Sequence, residues 1–147
     1  MSRIPYPEVD ALPEDQKAFL DKLAPLNIFQ MLGHAPHLLK PFVGMGTAFL
    51  QNGKLDPITR ECVILRVGYL SNAKYETSQH EAIGLAIGMD GELIEAVKSG
   101  PNADGLSHEQ KLALTFTDHL VTHPHPSDGA LKPVLKHFGP SLLEELV

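Results

Sequence analysis

The sequence predicts an all-α fold, a single domain spanning residues 1–147 with about five to eight helices. Three observations carry that prediction. Apolar residues recur at helical spacing, prolines and glycines cut the recurrence into helix-length segments, and no period-two alternation persists long enough for a strand. With 147 residues, 43% hydrophobic and 20% charged, the chain has the length and composition of one globular domain with a core.

Residues 1–12 carry Pro5 and Pro7, which favour an extended arm. From Pro13, "PEDQKAFLDKLAPL" opens with acidic residues where a helix N-terminus favours negative charge. It spaces Phe19, Leu20 and Leu23 on one face. "APHLLKPFVGMGTAFLQNG" is a second helical segment, expected to kink or break near Pro41 and to end at the turn signal "NG". Gly44 and Gly46 are too isolated for a phosphate loop and lack a preceding strand, so they are expected to permit close helix packing. Asp56 and Pro57 then make a strong start, an N-cap followed by a first-position proline. The following "ITRECVILRVGYL" is apolar on nearly every side apart from Arg60, Glu61 and Arg66, which assigns it to a core or a subunit interface. "NAKYETSQHEAIGLAIG" runs to Gly88 as its C-cap, and "DGELIEAVKSG" is a short helix with another terminal glycine. After the loop "PNADG", Ser107 and Gln110 form a capping-box pattern for "SHEQKLALTFTDHLVTH". "PHPSDG" is a turn, and "ALKPVLKHFG" and "PSLLEELV" are the final helical pieces.

A net charge of −6 without a Lys/Arg cluster argues against nucleic acid as a partner. The N-terminus has no apolar stretch of signal-peptide length, and no run approaches a membrane span. Cys62 stands alone, so the chain has no internal disulfide, no CxxC redox pair and no thiolate zinc cluster. A cytoplasmic protein without membrane contact is the expectation.

The chemistry-bearing stretch is "YETSQH", residues 75–80. At about 100° per residue, Tyr75, Ala82, Ile83, Ala86 and Ile87 form one apolar arc, with Glu76 and His80 at its edge and Thr77, Ser78 and Glu81 on the solvent side. Glu76 and His80 are four apart and can touch, a pairing suited to proton shuttling near neutral pH. A surface pair worth little is the plainer alternative. Glu61 sits in the all-apolar helix, where an unpartnered charge is costly, so it must meet Arg60, Arg66 or His80. Arg66 is a candidate clamp for a substrate carboxylate, or an ion-pair partner. His34, His37, His123 and His125 invite a metal, but the expectation is that no His lies four residues from another on a helix and that no metal is held.

Residues 60–97, "RECVILRVGYLSNAKYETSQHEAIGLAIGMDGELIEAV", resemble the core of the carboxymuconolactone decarboxylase family, which includes the alkylhydroperoxidase D-like proteins. The family pattern is an Arg-Glu opening an apolar helix, a Tyr-Glu or Cys-x-x-Cys element followed by a His, then small residues, a Gly and an acidic-apolar helix. Arg60, Glu61, Tyr75, Glu76, His80, Ala82, Gly88, Glu92, Ile94 and Val97 fit it in register. The segment "LSHEQKLALTFTDHLV" loosely resembles the helix that usually follows.

In the hydroperoxidase branch two cysteines precede the His by seven and four residues, positions that are Ala73 and Glu76 here. Dithiol peroxide reduction needs a thiolate and a resolving thiol, so the resemblance points to the non-redox branch. It implies an alkylhydroperoxidase D-like helical domain performing acid–base work on a small organic acid or lactone, without cofactor. His80 would be the general acid/base, Glu76 its partner, Glu61 a buried tuning group, and Tyr75 a hydrogen-bond donor to a developing enolate or a core aromatic. It also implies a homotrimer or homohexamer with the site near a subunit interface, to which the apolar face of residues 62–70 adds an argument. The rival is a non-catalytic ligand-binding or structural oligomer. The family pattern usually continues with a further helix beyond "LLEELV", leaving a truncated C-terminus or a lost element as the two readings.

Overall fold

The computed structural model describes residues 4–123 and 125–147. The first three residues of the expected arm, and Pro124 of "HPHP", lie outside them. Among the described residues there are eight α-helices, one short 3-10 turn and no strand. The chain divides into two compact units, Met1–Gly53 and Lys54–Val147.

In the first unit a 3-10 turn, Val9–Ala11, precedes α1 (Glu14–Leu20), α2 (Asn27–Leu32) and α3 (Pro36–Asn52). The extended start is tied down where His34 Nε2 meets the Pro5 carbonyl at 2.8 Å. Lys40 of α3 reaches Asp15 of α1 at 2.7 Å, lowering the Asp15 carboxyl below its ordinary range through that hydrogen bond. Helix α3 opens with Pro36 in its first turn and is not broken at Pro41, because a proline one turn in removes a single backbone bond. Leu39 is its buried contact, while Leu38, Phe42, Met45 and Phe49 form an exposed stripe along another face. The packing role expected of Gly44 and Gly46 is not realised, since a Cβ at either would meet nothing within 4 Å.

In the second unit, α4 (Pro57–Leu70), α5 (Lys74–Ala86), α6 (Gly91–Ser99), α7 (His108–Thr122) and α8 (Asp128–Leu146) follow one another. Their starts are set by side chains that accept orphan backbone N–H groups. Asp56 accepts from Thr59 at 2.8 Å ahead of Pro57, Asp90 from Leu93 at 2.7 Å, and Ser107 with Gln110 completes the capping box. Helix α8 changes direction at Gly139 (φ 73°), which separates the two helical pieces expected there. Glu145 of its second piece accepts the N–H groups of Lys54 and Leu55, each at 2.7 Å.

Helix α4 is the central element, packed against α5, α6 and α7, which explains why it is apolar all round. Cys62 and Leu65 face a core shared with Met89, Ile94, Val97, Leu106 and Leu114. Val63 faces a second core, shared with Ala113, Phe116, Val134, Phe138 and Leu146. Most of residues 62–70 is thus covered within this unit; Val67 and Leu70 are its exposed apolar positions. Among the described residues, no helix is long and apolar enough to cross a membrane.

Candidate active site

The site is built where α5 lies on α4. Gly68 permits that approach: a Cβ there would stand 2.7 Å from the Thr77 methyl. Helix α5 meets α4 through Thr77, His80 and Glu81, half-buried positions of one arc, while buried Gly84 on the same arc packs against Met89. The expected orientation of α5 is therefore corrected. Thr77 and Glu81 face inward, Glu81 accepting a 2.8 Å bond from the Tyr69 hydroxyl, while Tyr75, Ala82, Ile83, Ala86 and Ile87 are exposed. Polar pairing to α4, and not the apolar arc, decides which face turns in.

Two residues of α4 and two of α5 make the polar centre. Glu61 is fully buried, and its Oε2 stands 2.6 Å from His80 Nδ1. Its other oxygen, Oε1, has no hydrogen-bond partner among the described residues and lies 3.7 Å from Arg60 Nε. An ionised carboxylate can only accept, so with Glu61 charged Nδ1 carries the proton and Nε2 presents a lone pair. That Nε2 is 3.9 Å from Glu76 Oε2, an ion-pair separation and not a hydrogen bond. Glu76 is half exposed, whereas the His80 side chain is 14% exposed, and the imidazole is anchored at Nδ1 with no hydrogen bond at Nε2 among the described residues. A fixed imidazole backed by a buried carboxylate can take and return a proton at Nε2.

The five residues singled out in the sequence do not all converge. Glu61, His80 and Glu76 come together. Tyr75 lies on the exposed face, about 140° around the helix from His80 at ~100° per residue. Arg66 is buried elsewhere in the unit: it donates to Asp118 at 2.6 and 2.8 Å, and to the carbonyls of Val97 and Lys98 at 3.2 and 2.8 Å. With four hydrogen bonds made, this guanidinium ties α4 to α7 and caps the last turn of α6. Gly100 (φ 115°) admits it, since a Cβ there would stand 3.0 Å from Nη2. Neither Asp118 nor Glu81 carries a sequence signal of these roles, because each partner is distant along the chain.

His119, in the last turn of α7, and His123 have rings stacked at 4.7 Å. His123 is the extended C-cap residue of α7 (φ −134°, ψ 120°), so its spacing from His119 does not put two histidines four apart on a helix. His119 Nε2 accepts the Ser127 N–H at 3.1 Å, and the Thr122 hydroxyl lies 2.8 Å from His123 Nδ1. Among the described residues no group of three His, Cys, Asp or Glu side chains is disposed to hold a metal ion. A cavity of about 380 Å3 elsewhere in the unit is lined by Asp90, Glu92, Leu93, Asp104, Gly105 and Gln110, none of them part of the Glu61–His80 centre.

Helices of this number, with a buried carboxylate on one hydrogen-bonded to a histidine on the next, define an all-α protein with a buried polar centre. The carboxymuconolactone decarboxylase family model matches residues 36–111, which run from the start of α3 into α7. The chain belongs to that family, and its helices form an alkylhydroperoxidase D-like domain. No curated protein and no solved structure matches it.

Proposed function

We propose that the protein is a cytoplasmic, cofactor-independent lyase- or isomerase-type enzyme of the non-redox branch, moving protons on a small organic acid or lactone. The observation that carries this reading is the 2.6 Å contact between buried Glu61 and His80 Nδ1, which leaves Nε2 without a hydrogen bond among the described residues. His80 Nε2 would take the proton from a carbon beside a carbonyl, the C–H electron pair moving onto the carbonyl oxygen as an enolate. The imidazolium so formed sits against Glu61, and Nε2–H returns the proton to carbon. In the decarboxylating variant His80 starts as the imidazolium: the bond to the carboxylate breaks, CO2 leaves, Nε2–H protonates the carbanion, and water restores the proton to the neutral imidazole.

Thiol chemistry has weak footing by comparison. Cys62 is the chain's one cysteine, fully buried, and its thiol is pushed up to about 12 by burial and by the charges of Asp56 and Glu61. The thiolate is the reactive form. A homo-oligomer, trimer or hexamer, belongs to the same reading and is supported by the apolar arc of α5 left exposed in the protomer.

The test is turnover and α-proton exchange in D2O with a panel of small lactones and keto acids. His80→Ala should lower the rate by roughly 10²- to 10⁴-fold with modest effect on stability. Glu61→Gln, which keeps shape and loses charge, should slow turnover as well. Full activity in His80→Ala would sink the assignment.

A further inference from the structure

Resting on the reading of His80 as the acid/base, we infer that the site selects uncharged carbonyl compounds, lactones or esters, over free carboxylates, with Glu76 as the residue that sets the preference. The charged groups of α4 and α5 near the reacting nitrogen can be taken one by one. On α4, Glu61 and Arg60 face each other at 3.7 Å and offset one another. On α5, Glu81 receives the Tyr69 hydroxyl, and Lys74 projects about 120° around the helix from His80 at ~100° per residue. The charged group found against Nε2 among the described residues is the Glu76 carboxylate, at 3.9 Å. An incoming carboxylate would meet that charge at close range.

Arg66, the other arginine of α4, does not offset it. Arg66 is committed to Asp118 and to two carbonyls of α6, in the interior of the unit. The net charge of −6 adds a weaker, longer-range repulsion of the same sign. Charge balance along the reaction points the same way. Removing a proton from a neutral lactone gives a monoanion facing the His80 imidazolium. Removing one from a carboxylate substrate gives a dianion beside Glu76. Lactone isomerisation, or proton transfer at an ester, therefore ranks ahead of proton abstraction from a carboxylate substrate. Decarboxylation removes no proton and leaves a monoanion, so it is disfavoured only on binding, where its carboxylate meets Glu76.

The experiment uses the full-length protein with labelled histidine and two probes: an unsaturated five-membered lactone without ionisable groups, and the same ring bearing one carboxylate. Affinity is read from the His80 imidazole resonances, and chemistry separately from α-proton exchange in D2O. The wild type should bind the uncharged lactone about tenfold more tightly at low salt. Glu76→Gln and Glu76→Ala should each raise affinity for the carboxylate probe about tenfold, and by much more than they change affinity for the lactone. Because Glu76 is 52% exposed, the wild-type preference should shrink as salt is raised, which a merely structural role would not produce. Equal or tighter binding of the carboxylate by the wild type overturns the proposal, as does a preference that survives both substitutions or binding of neither probe. If the binding preference holds while exchange is unaffected by His80→Ala, the charge selection stands and the catalytic role of His80 falls.

Discussion

Glu61 has no access to solvent, and what it touches decides what His80 can do. The sequence makes the charge conspicuous, since a carboxylate inside an apolar helix needs a partner, and its candidates include the right one. What it cannot tell is which side of His80 the carboxylate engages, because that depends on how two helices meet. Arg66 is the opposite case: its burial is legible from its helix, but its partner Asp118 lies 52 positions on, beyond any local pattern. Cys62, next to Glu61, offers a test of how dry this helix is. Burial raises its thiol from 9.0 to about 12, with Asp56 and Glu61 adding to the shift. A folded value above the unfolded one means the associated stability is whole below pH 9 and is lost as pH rises through about 12. Urea midpoints should therefore fall across that window, and Cys62→Ala should flatten the decline. Tyr69, raised first by burial and then by its bond to Glu81, supplies a remainder of the same sign. Iodoacetamide near neutral pH should label Cys62 only after unfolding; rapid labelling of the native protein would contradict the burial.

At the scale of elements, starts and stops were legible where side chains cap backbone, as at Asp56, Ser107 and Gly139. The rotation of α5 was not. Hydrophobic periodicity puts the apolar arc inside, but α4 offers α5 a glycine, a tyrosine hydroxyl and a buried carboxylate, and the polar arc pairs with them. A helix turned this way depends on close approach at Gly68. Gly68→Ala adds a methyl where Thr77 Cγ2 already stands at 2.7 Å, so α5 must shift or Thr77 must rotate. Overpacking of this kind costs about 1–3 kcal/mol, offset in part by alanine's better helix propensity of about 1 kcal/mol. The expected result is a lowered melting temperature together with displaced His80 resonances. Thr77→Ser in the same chain removes the clashing methyl and should restore both. Failure of that rescue would mean the helices do not meet at this pair.

At the scale of the whole molecule, the inverted α5 leaves a question that the protomer does not answer. Ile83, Leu85 and Ile87 are each more than a third exposed, and Val67 and Leu70 at the end of α4 are exposed too. Apolar surface of this extent on consecutive helices marks an interaction face more often than a free surface. Residues 62–70 are mostly covered by α5, α6 and α7, so the apolar surface that favours association is the exposed arc of α5 itself. Ala82 is the residue with which to test it. It is exposed, in mid-helix, and about 160° around α5 from His80 at ~100° per residue. On a free helix face Ala82→Glu should change stability by no more than about 0.5 kcal/mol. Against a second copy it buries an unpaired charge and should break the contact. Light scattering at micromolar concentration should give a multiple of 16.0 kDa for the wild type and a mass near 16.0 kDa for Ala82→Glu. A wild type that is already monomeric would remove the proposed assembly and leave the apolar face of α5 to a different partner.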